Sequence, residues 1–325
     1  MAIQMQSRGQ RHSRSFKRAV AELPRARALM VRSADGTRLH TEIFGPEDGY
    51  PIVLSHGITC ALRVWHTQIA DLATDHRVIA FDHRGHGKSE VPTRGRSYSL
   101  PRLADDLEAV LAATVRPDER AVIAGHSMGG IAISAWSDHY RESVPQRADA
   151  VALINTTTGD LLQAIQILQM PGVLGSTRIR VAEQMIRAIG SLDIPRGAKW
   201  TSRKFVAMMA VGADATPSVG DLIYELFTGT APAARGGCAR MLAKALGPEH
   251  LPLDGLTVPA LVIGSTKDRL LPVSQSRKIA DAVPQLADYV ELSGGHCSIV
   301  ERPAEVNRLL RKLVDSVTPA HRATS

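Results

Sequence analysis

The chain has 325 residues, 44% hydrophobic, 22% charged and only 4% aromatic, with three cysteines and a formal net charge of +7. That length suits one large α/β domain with insertions or two modest domains. No stretch approaches about 18 uninterrupted apolar residues, which excludes a transmembrane helix, and the basic first 20 residues lack the apolar segment and small-residue cleavage site of a secretory signal.

The positive charge is unevenly placed. Of 39 cations and 32 anions, residues 1–32 hold eight and one, which leaves the rest of the chain balanced at 31 of each. The basicity belongs to a leader, residues 1–27, read as a flexible, solvated tail. The neutral body and scarce aromatic residues argue against nucleic acid as a partner. Membrane contact through a short leader helix with Phe16, Val20 and Leu23 on one side is the competing use. Cys60, Cys238 and Cys297 are odd in number and lack C-x-x-C spacing. Neither a disulfide framework nor a zinc module is expected, and a reducing, cytoplasmic setting is.

After the leader, Ala28–Ser33 and Arg38–Phe44 read as strands joined by the Asp35-Gly36 turn. Pro51–Ser55 is a short apolar run, as expected of a strand buried on both faces. A helical stretch near Ala61–Ala73 precedes a second buried strand at Arg77–Phe81. Leu103, Leu107, Val110 and Leu111 recur at helical spacing in a helix that stops before Pro117. A third buried strand, Ala121–Ala124, leads into another helix. Strands at Ala150–Ile154, Ala260–Ile263 and Tyr289–Leu292, a helix near Val273–Val283 and a last helix after Pro303 complete the pattern.

This alternation implies a mostly parallel sheet with helices on both faces. The rhythm breaks between about Thr158 and Pro259, where only helical segments rich in Leu, Ile, Met and Ala are found. The gap is too long for a loop. It reads as a helical cap, 158–258, inserted into a core formed by 28–157 and 259–325.

The chemistry concentrates after the third buried strand, in Gly125-His126-Ser127-Met128-Gly129-Gly130, where a helix pattern starts at once. A G-x-S-x-G between strand and helix is a turn so tight that side chains at 125 and 129 would collide. It holds Ser127 exposed above the sheet edge, with a helix N-terminus beneath it. A serine hydroxyl needs a base, and the base needs an orienting acid. Among 12 histidines, His296 follows the last strand behind Gly294-Gly295, on the carboxyl edge where ligand sites of open α/β sheets lie. His126 points away across the turn and is read as structural. His83 and His86 make an H-x-x-H with no companion ligands, so a metal is not expected. Asp268, after the strand that starts at Ala260, is the acid, and Ser127…Asp268…His296 is the chain order this turn motif predicts. Asp160 is the competing acid. The oxyanion donors are the backbone N–H groups of Ile58, after His56-Gly57, and Met128. No metal or organic cofactor is required.

These motifs are SHGIT at 55–59, DHRGHGKS at 82–89, GHSMGG at 125–130, GSTKDRLLP at 264–272 and GGHCSIVERP at 294–303. Together they resemble the α/β-hydrolase superfamily from about Ala28 to Val317. The resemblance implies a mostly parallel eight-stranded sheet flanked by helices, with a helical cap insertion, and a carboxylesterase- or lipase-like activity. In that family the turn at Asp82–Ser89 shapes the site floor, a scaffold role. Serine at 127 disfavours epoxide opening and dehalogenation, for which the family uses aspartate.

The expected function is hydrolysis of small-to-medium, apolar carboxylic esters through an acyl-enzyme, with activity rising as a histidine base loses its proton at about pH 6–7. The resemblance also admits a carbon–carbon bond hydrolase, a cofactor-free perhydrolase or haloperoxidase, and a ligand receptor that keeps the triad. An anion clamp at Arg178 or Arg187 would favour the carbon–carbon hydrolase. Met170, Met185, Met208, Met209 and Met241, with Leu161, Leu162, Ile165, Ile167 and Leu168, either line an apolar pocket or pack the cap on the core. Trp65 and Trp200 are further pocket candidates. The sequence does not fix an oligomeric state.

Overall fold

The computed structural model describes residues 23–92, 98–164 and 199–318. The chain opens with a hairpin of β1 (Arg27–Arg32) and β2 (Arg38–Phe44), paired from Arg27 opposite Ile43 to Arg32 opposite Arg38. Then come β3 (Pro51–Ser55), a 3-10 turn (Leu62–Trp65), α1 (His66–Leu72), β4 (Arg77–Phe81) and α2 (Leu100–Thr114). The centre is built from β5 (Ala121–His126), α3 (Met128–His139), α4 (Val144–Arg147) and β6 (Ala148–Ile154). The described part of the insertion holds α5 (Leu161–Ala164), α6 (Lys199–Ala210), α7 (Pro217–Gly229) and α8 (Pro232–Ala245). The chain closes with β7 (Ala260–Ser265), α9 (Val273–Ala282), β8 (Leu286–Leu292), α10 (Ser298–Glu301) and α11 (Pro303–Val317).

The eight strands form one sheet in the order β1-β2-β4-β3-β5-β6-β7-β8, with β2 antiparallel to β1 and β4 and every other pair parallel. This is the α/β-hydrolase fold that the motifs imply. The central strands are apolar throughout because both faces are covered. Ile52, Leu54, Val78, Ala80, Val122 and Ala124 point to one face and pack with residues of α1 and α11. Val53, Ile79, Phe81, Ala121 and Ile123 point to the other and pack with residues of α2, α3 and α9. The period of two in each strand thus sorts its side chains between two cores.

Several boundaries differ from the sequence reading, each for a local reason. Arg27, placed in the leader for its charge, opens β1 by pairing with Ile43, and Leu23 and Ala26 pack against the core. The helix expected over 61–73 is broken at Trp65 into a 3-10 turn and α1. β6 begins at Ala148 and β8 at Leu286, before their apolar runs, because Asp149 and Asp288 are carried within them. At the base of the insertion the chain is zipped to itself. Asp160 N–H donates to Gly247 O (2.7 Å), Leu161 N–H to Leu246 O (3.0 Å) and Leu251 N–H to Thr158 O (2.9 Å). Among the described residues no helix is long and apolar enough to cross a membrane.

Candidate active site

Ser127 sits between the last residue of β5 and the first of α3, with φ 54° and ψ −119°. Such a backbone costs an L-residue about 1–3 kcal/mol and persists only where its surroundings over-determine it. Here they do. The Ser127 N–H donates to Ile154 O on the adjacent strand (2.9 Å). Its carbonyl accepts from the N–H groups of Gly130 (2.9 Å) and Ile131 (3.1 Å) and from Thr156 Oγ1 (2.8 Å). The flanking glycines are dictated by space. A Cβ on Gly125 would lie 2.5 Å from the Gly129 carbonyl, and one on Gly129 would lie 2.0 Å from Ser55 O.

His296, on the loop between β8 and α10, places Nε2 2.9 Å from Ser127 Oγ and Nδ1 2.8 Å from Asp268 Oδ2. Asp268, in the turn after β7, is 3% exposed. Its other oxygen, Oδ1, accepts the N–H groups of Leu270 (2.9 Å) and Leu271 (2.8 Å). An acceptor-only carboxylate makes Nδ1 the protonated ring nitrogen, so Nε2 presents its lone pair to the serine O–H. Three parallel strands thus deliver three polar side chains to one carboxyl edge.

Met128 heads α3, so its N–H is among the first-turn amides that have no partner within the helix. Ile58 lies on the loop after β3, between Thr59, whose N–H donates to His86 Nε2 (3.1 Å), and Gly57, whose carbonyl accepts from Cys60 (3.3 Å). Gly57 is pressed against the serine: a Cβ there would stand 3.1 Å from Ser127 Cβ.

Four further buried histidines surround this group. His126 Nε2–H donates to the carbonyl of His296 (2.8 Å), and the two rings lie 5.0 Å apart. The ring next to Ser127 therefore ties down the loop that carries His296. His86 Nδ1–H donates to Arg84 O (3.0 Å), which leaves Nε2 to accept from Thr59. His56 Nδ1–H donates to Gly57 O (2.7 Å), and its Nε2 accepts the His83 N–H (3.0 Å). Burial pulls His126 and His86 down to about 3, His56 to about 4, and His83 well below its ordinary value. All four are neutral at pH 7. No metal-holding cluster of His, Cys, Asp or Glu occurs among the described residues.

Asp160 is not the acid partner of His296. Its carboxylate faces His250 Nε2 (3.1 Å) and Lys278 Nζ (2.8 Å) at the base of the insertion, and the lysine beside it holds the carboxyl below its usual range. Two residues that sequence reasoning missed support the group instead. Asn155, at the end of β6 with φ 46°, donates from Nδ2 to Asp268 Oδ2 (3.3 Å) and accepts from Ser298 Oγ. Glu301 accepts backbone N–H groups on both sides of His296. Position after a strand end was a signal for Asn155; Glu301 had none beyond its place in the last motif.

A cavity of about 140 Å³ opens on Ser127 and His296 and is lined by Ile58, Ile131, Leu161, Ala239, Leu242, Leu270 and Leu271. Met241 packs with Met128, Ile131 and Leu242 in the cluster beside it, whereas Met208 is 46% exposed. Trp65 is fully buried and lies edge-on to His126, within the core rather than in the cavity. Met170, Met185, Ile165, Ile167, Leu168, Arg178 and Arg187 lie outside the described residues, as does the side chain of Trp200.

Comparison with known proteins places this geometry. The family model described as "alpha/beta hydrolase fold" matches residues 50–303. RutD of Variovorax paradoxus, a proposed carbamate hydrolase, is 27% identical over 84% of this chain and 94% of its own length. A non-heme chloroperoxidase of Streptomyces lividans is 28% identical over 80% of this chain and 87% of its own. Among solved structures, the enol-lactonase of Burkholderia xenovorans LB400 superposes with a TM-score of 0.63 at 25% identity, covering 88% of this chain and all of that one.

Proposed function

The chain belongs to the α/β-hydrolase family, and on that premise we propose that it is a serine hydrolase that cleaves carboxylic esters of small-to-medium apolar substrates with Ser127, His296 and Asp268. The observation that carries the proposal is the continuous relay from Ser127 Oγ through His296 to Asp268, with spacings of 2.9 and 2.8 Å, at the end of an apolar cavity.

In this mechanism Ser127 Oγ attacks the ester carbonyl carbon as its proton passes to His296 Nε2, and the carbonyl π pair moves onto oxygen. Asp268 stabilises the imidazolium. The N–H groups of Ile58 and Met128 receive the oxyanion, helped by the positive end of α3. Collapse breaks the bond to the alcohol oxygen, which leaves with the His296 proton. Water then attacks the acyl-enzyme, gives a proton to His296 and releases the acid as Ser127 is reprotonated. The cavity lining favours an apolar acyl or alkoxy group. The described helices of the insertion, α5 to α8, serve as its cap.

A second reading follows from the chloroperoxidase relative. The same acyl-enzyme intercepted by hydrogen peroxide would yield a peracid and free Ser127, with no cofactor. Labelling by a fluorophosphonate, scored beside hydrolysis of p-nitrophenyl esters of increasing acyl length, tests the main proposal. Wild type should be labelled and should turn over short apolar esters, and Ser127→Ala should lose both. Folded wild type that does neither would refute ester hydrolysis by Ser127. Peracid formation from acetate and peroxide at a rate exceeding hydrolysis would establish the second reading.

A further inference from the structure

One carboxylate links the insertion to the loop that carries the base. Glu301, the last residue of α10, accepts the Gly295 N–H (2.9 Å) and the Gly212 N–H (3.0 Å) on Oε2, and the Cys297 N–H (3.1 Å) on Oε1. Gly295 and Cys297 flank His296. Gly212 belongs to the loop between α6 and α7, in the insertion.

Two further observations, independent of that carboxylate, describe the same junction. The glycines stack backbone on backbone: a Cβ on Gly295 would lie 2.2 Å from Gly212 N, and one on Gly212 would lie 2.8 Å from Gly295 N. Two residues on, Asp214 of the same loop pairs with Lys267, which precedes Asp268. Lys267 N–H in turn donates to Gly294 O (2.9 Å). The insertion thus contacts the residues that flank His296 and the residue before Asp268.

We propose that Glu301 is a positioning residue that couples the seating of the insertion to the aim of the His296 imidazole at Ser127. The inference rests on the triad reading above. Physically, a carboxylate that accepts three N–H groups fixes the backbone at 295 and 297, and so sets where the ring between them points. Because one of its three donors is Gly212, a shift of the 211–215 loop is transmitted to that backbone. Glutamine cannot replace it: its single carbonyl oxygen satisfies one side, and its amide then turns N–H against N–H on the other.

The test is the second-order rate of Ser127 labelling by a fluorophosphonate, per mole of folded protein, in wild type, Glu301→Gln, Gly212→Ala and the double variant. Glu301→Gln should slow labelling about 10- to 100-fold, within the range that misplacement of a reacting group costs. Gly212→Ala, which touches no member of the triad, should slow it several-fold. The double variant should be no slower than Glu301→Gln alone, because both changes act through one junction; a role in folding alone would change the folded fraction and leave these per-protein rates unmoved. A Glu301→Gln rate within twofold of wild type, or single effects that multiply in the double, would overturn the coupling. If Glu301→Gln does not fold, a folded Gly212→Ala that labels at the wild-type rate overturns it. Wild type that resists labelling refutes the triad reading itself, whereas labelled wild type with unaffected variants refutes only the role of Glu301.

Discussion

Acid should unfold this protein through the histidines buried around Ser127. His56, His83, His86 and His126 are held neutral in the fold, three of them at about 3 to 4 and the fourth well below its ordinary value. In the unfolded chain each would titrate near 6.5. Below that value the unfolded state binds more protons than the folded one, so stability falls as pH falls, across the window from about 6.5 to about 4. One such histidine costs about 1 kcal/mol at pH 6 and about 2 kcal/mol at pH 5 relative to pH 8. The three at about 3 to 4 together cost about 6 kcal/mol at pH 5, a large share of the stability of an ordinary domain, and His83 acts in the same direction. Asp82 and Asp106, whose carboxyls burial pushes up, work in the opposite direction and offset part of this loss. Urea melts followed by tryptophan fluorescence from pH 8 to pH 5, with proton uptake on unfolding measured at pH 5.5, read the effect directly. His83→Gln should take up about one proton fewer than wild type on unfolding. The acid limb of activity should then be steeper than protonation of a single base allows. A stability change below about 2 kcal/mol between pH 8 and pH 5 would refute the reasoning.

Two other substitutions probe the frame of the site. Ser127→Gly relieves a backbone at φ 54° and ψ −119°, and should abolish labelling while stabilising the fold by about 1 kcal/mol, read as a melting point about 2 °C higher; a lower melting point would show that no strain is held there. Arg84 is fully buried, with Nε and Nη2 on the two oxygens of Asp106 at 2.7 and 2.6 Å and Nη1 2.9 Å from Asp35. Arg84→Met strands the Asp106 charge and should cost about 3–5 kcal/mol by urea melts, most of it recovered in Arg84→Met/Asp106→Leu; additive losses in the pair would contradict a buried, mutually dependent ion pair.

The elements legible in the sequence are those where a local rule and the fold agree. PIVLS and RVIAF read as strands because burial on both faces leaves no polar side in either, and the tight turn at Ser127 was visible because Gly125 and Gly129 are required by backbone contact. The ends of β6 and β8 were hidden by Asp149 and Asp288: Asp149 is satisfied by Arg120 and Tyr50, and Asp288 by Lys312. Of the site, the three side chains bonded in series, Ser127, His296 and Asp268, each followed a strand end that the sequence shows. What stood beneath them did not show. His126 was read as structural, but its partner, a carbonyl 170 residues away, had no signal in the sequence. Asn155 and Glu301 act on backbone and on a carboxylate brought in by loops, and loop shape has no periodicity to read. Asp160 was a plausible acid by position alone, until Lys278 and His250 claimed it.

The zipped base of the insertion has a consequence for how such a protein changes over time. Three backbone hydrogen bonds join the chain's two crossings at 158–161 and 246–251, so the sheet meets the long insert as if it were a tight turn. Because they depend on no particular side chain, these bonds survive sequence drift. An insert whose ends are already held together can be lengthened, shortened or exchanged for another with little penalty to the framework. The walls above Ser127 are therefore free to diversify as a cassette, provided the replacement offers a small residue where Gly212 meets Gly295.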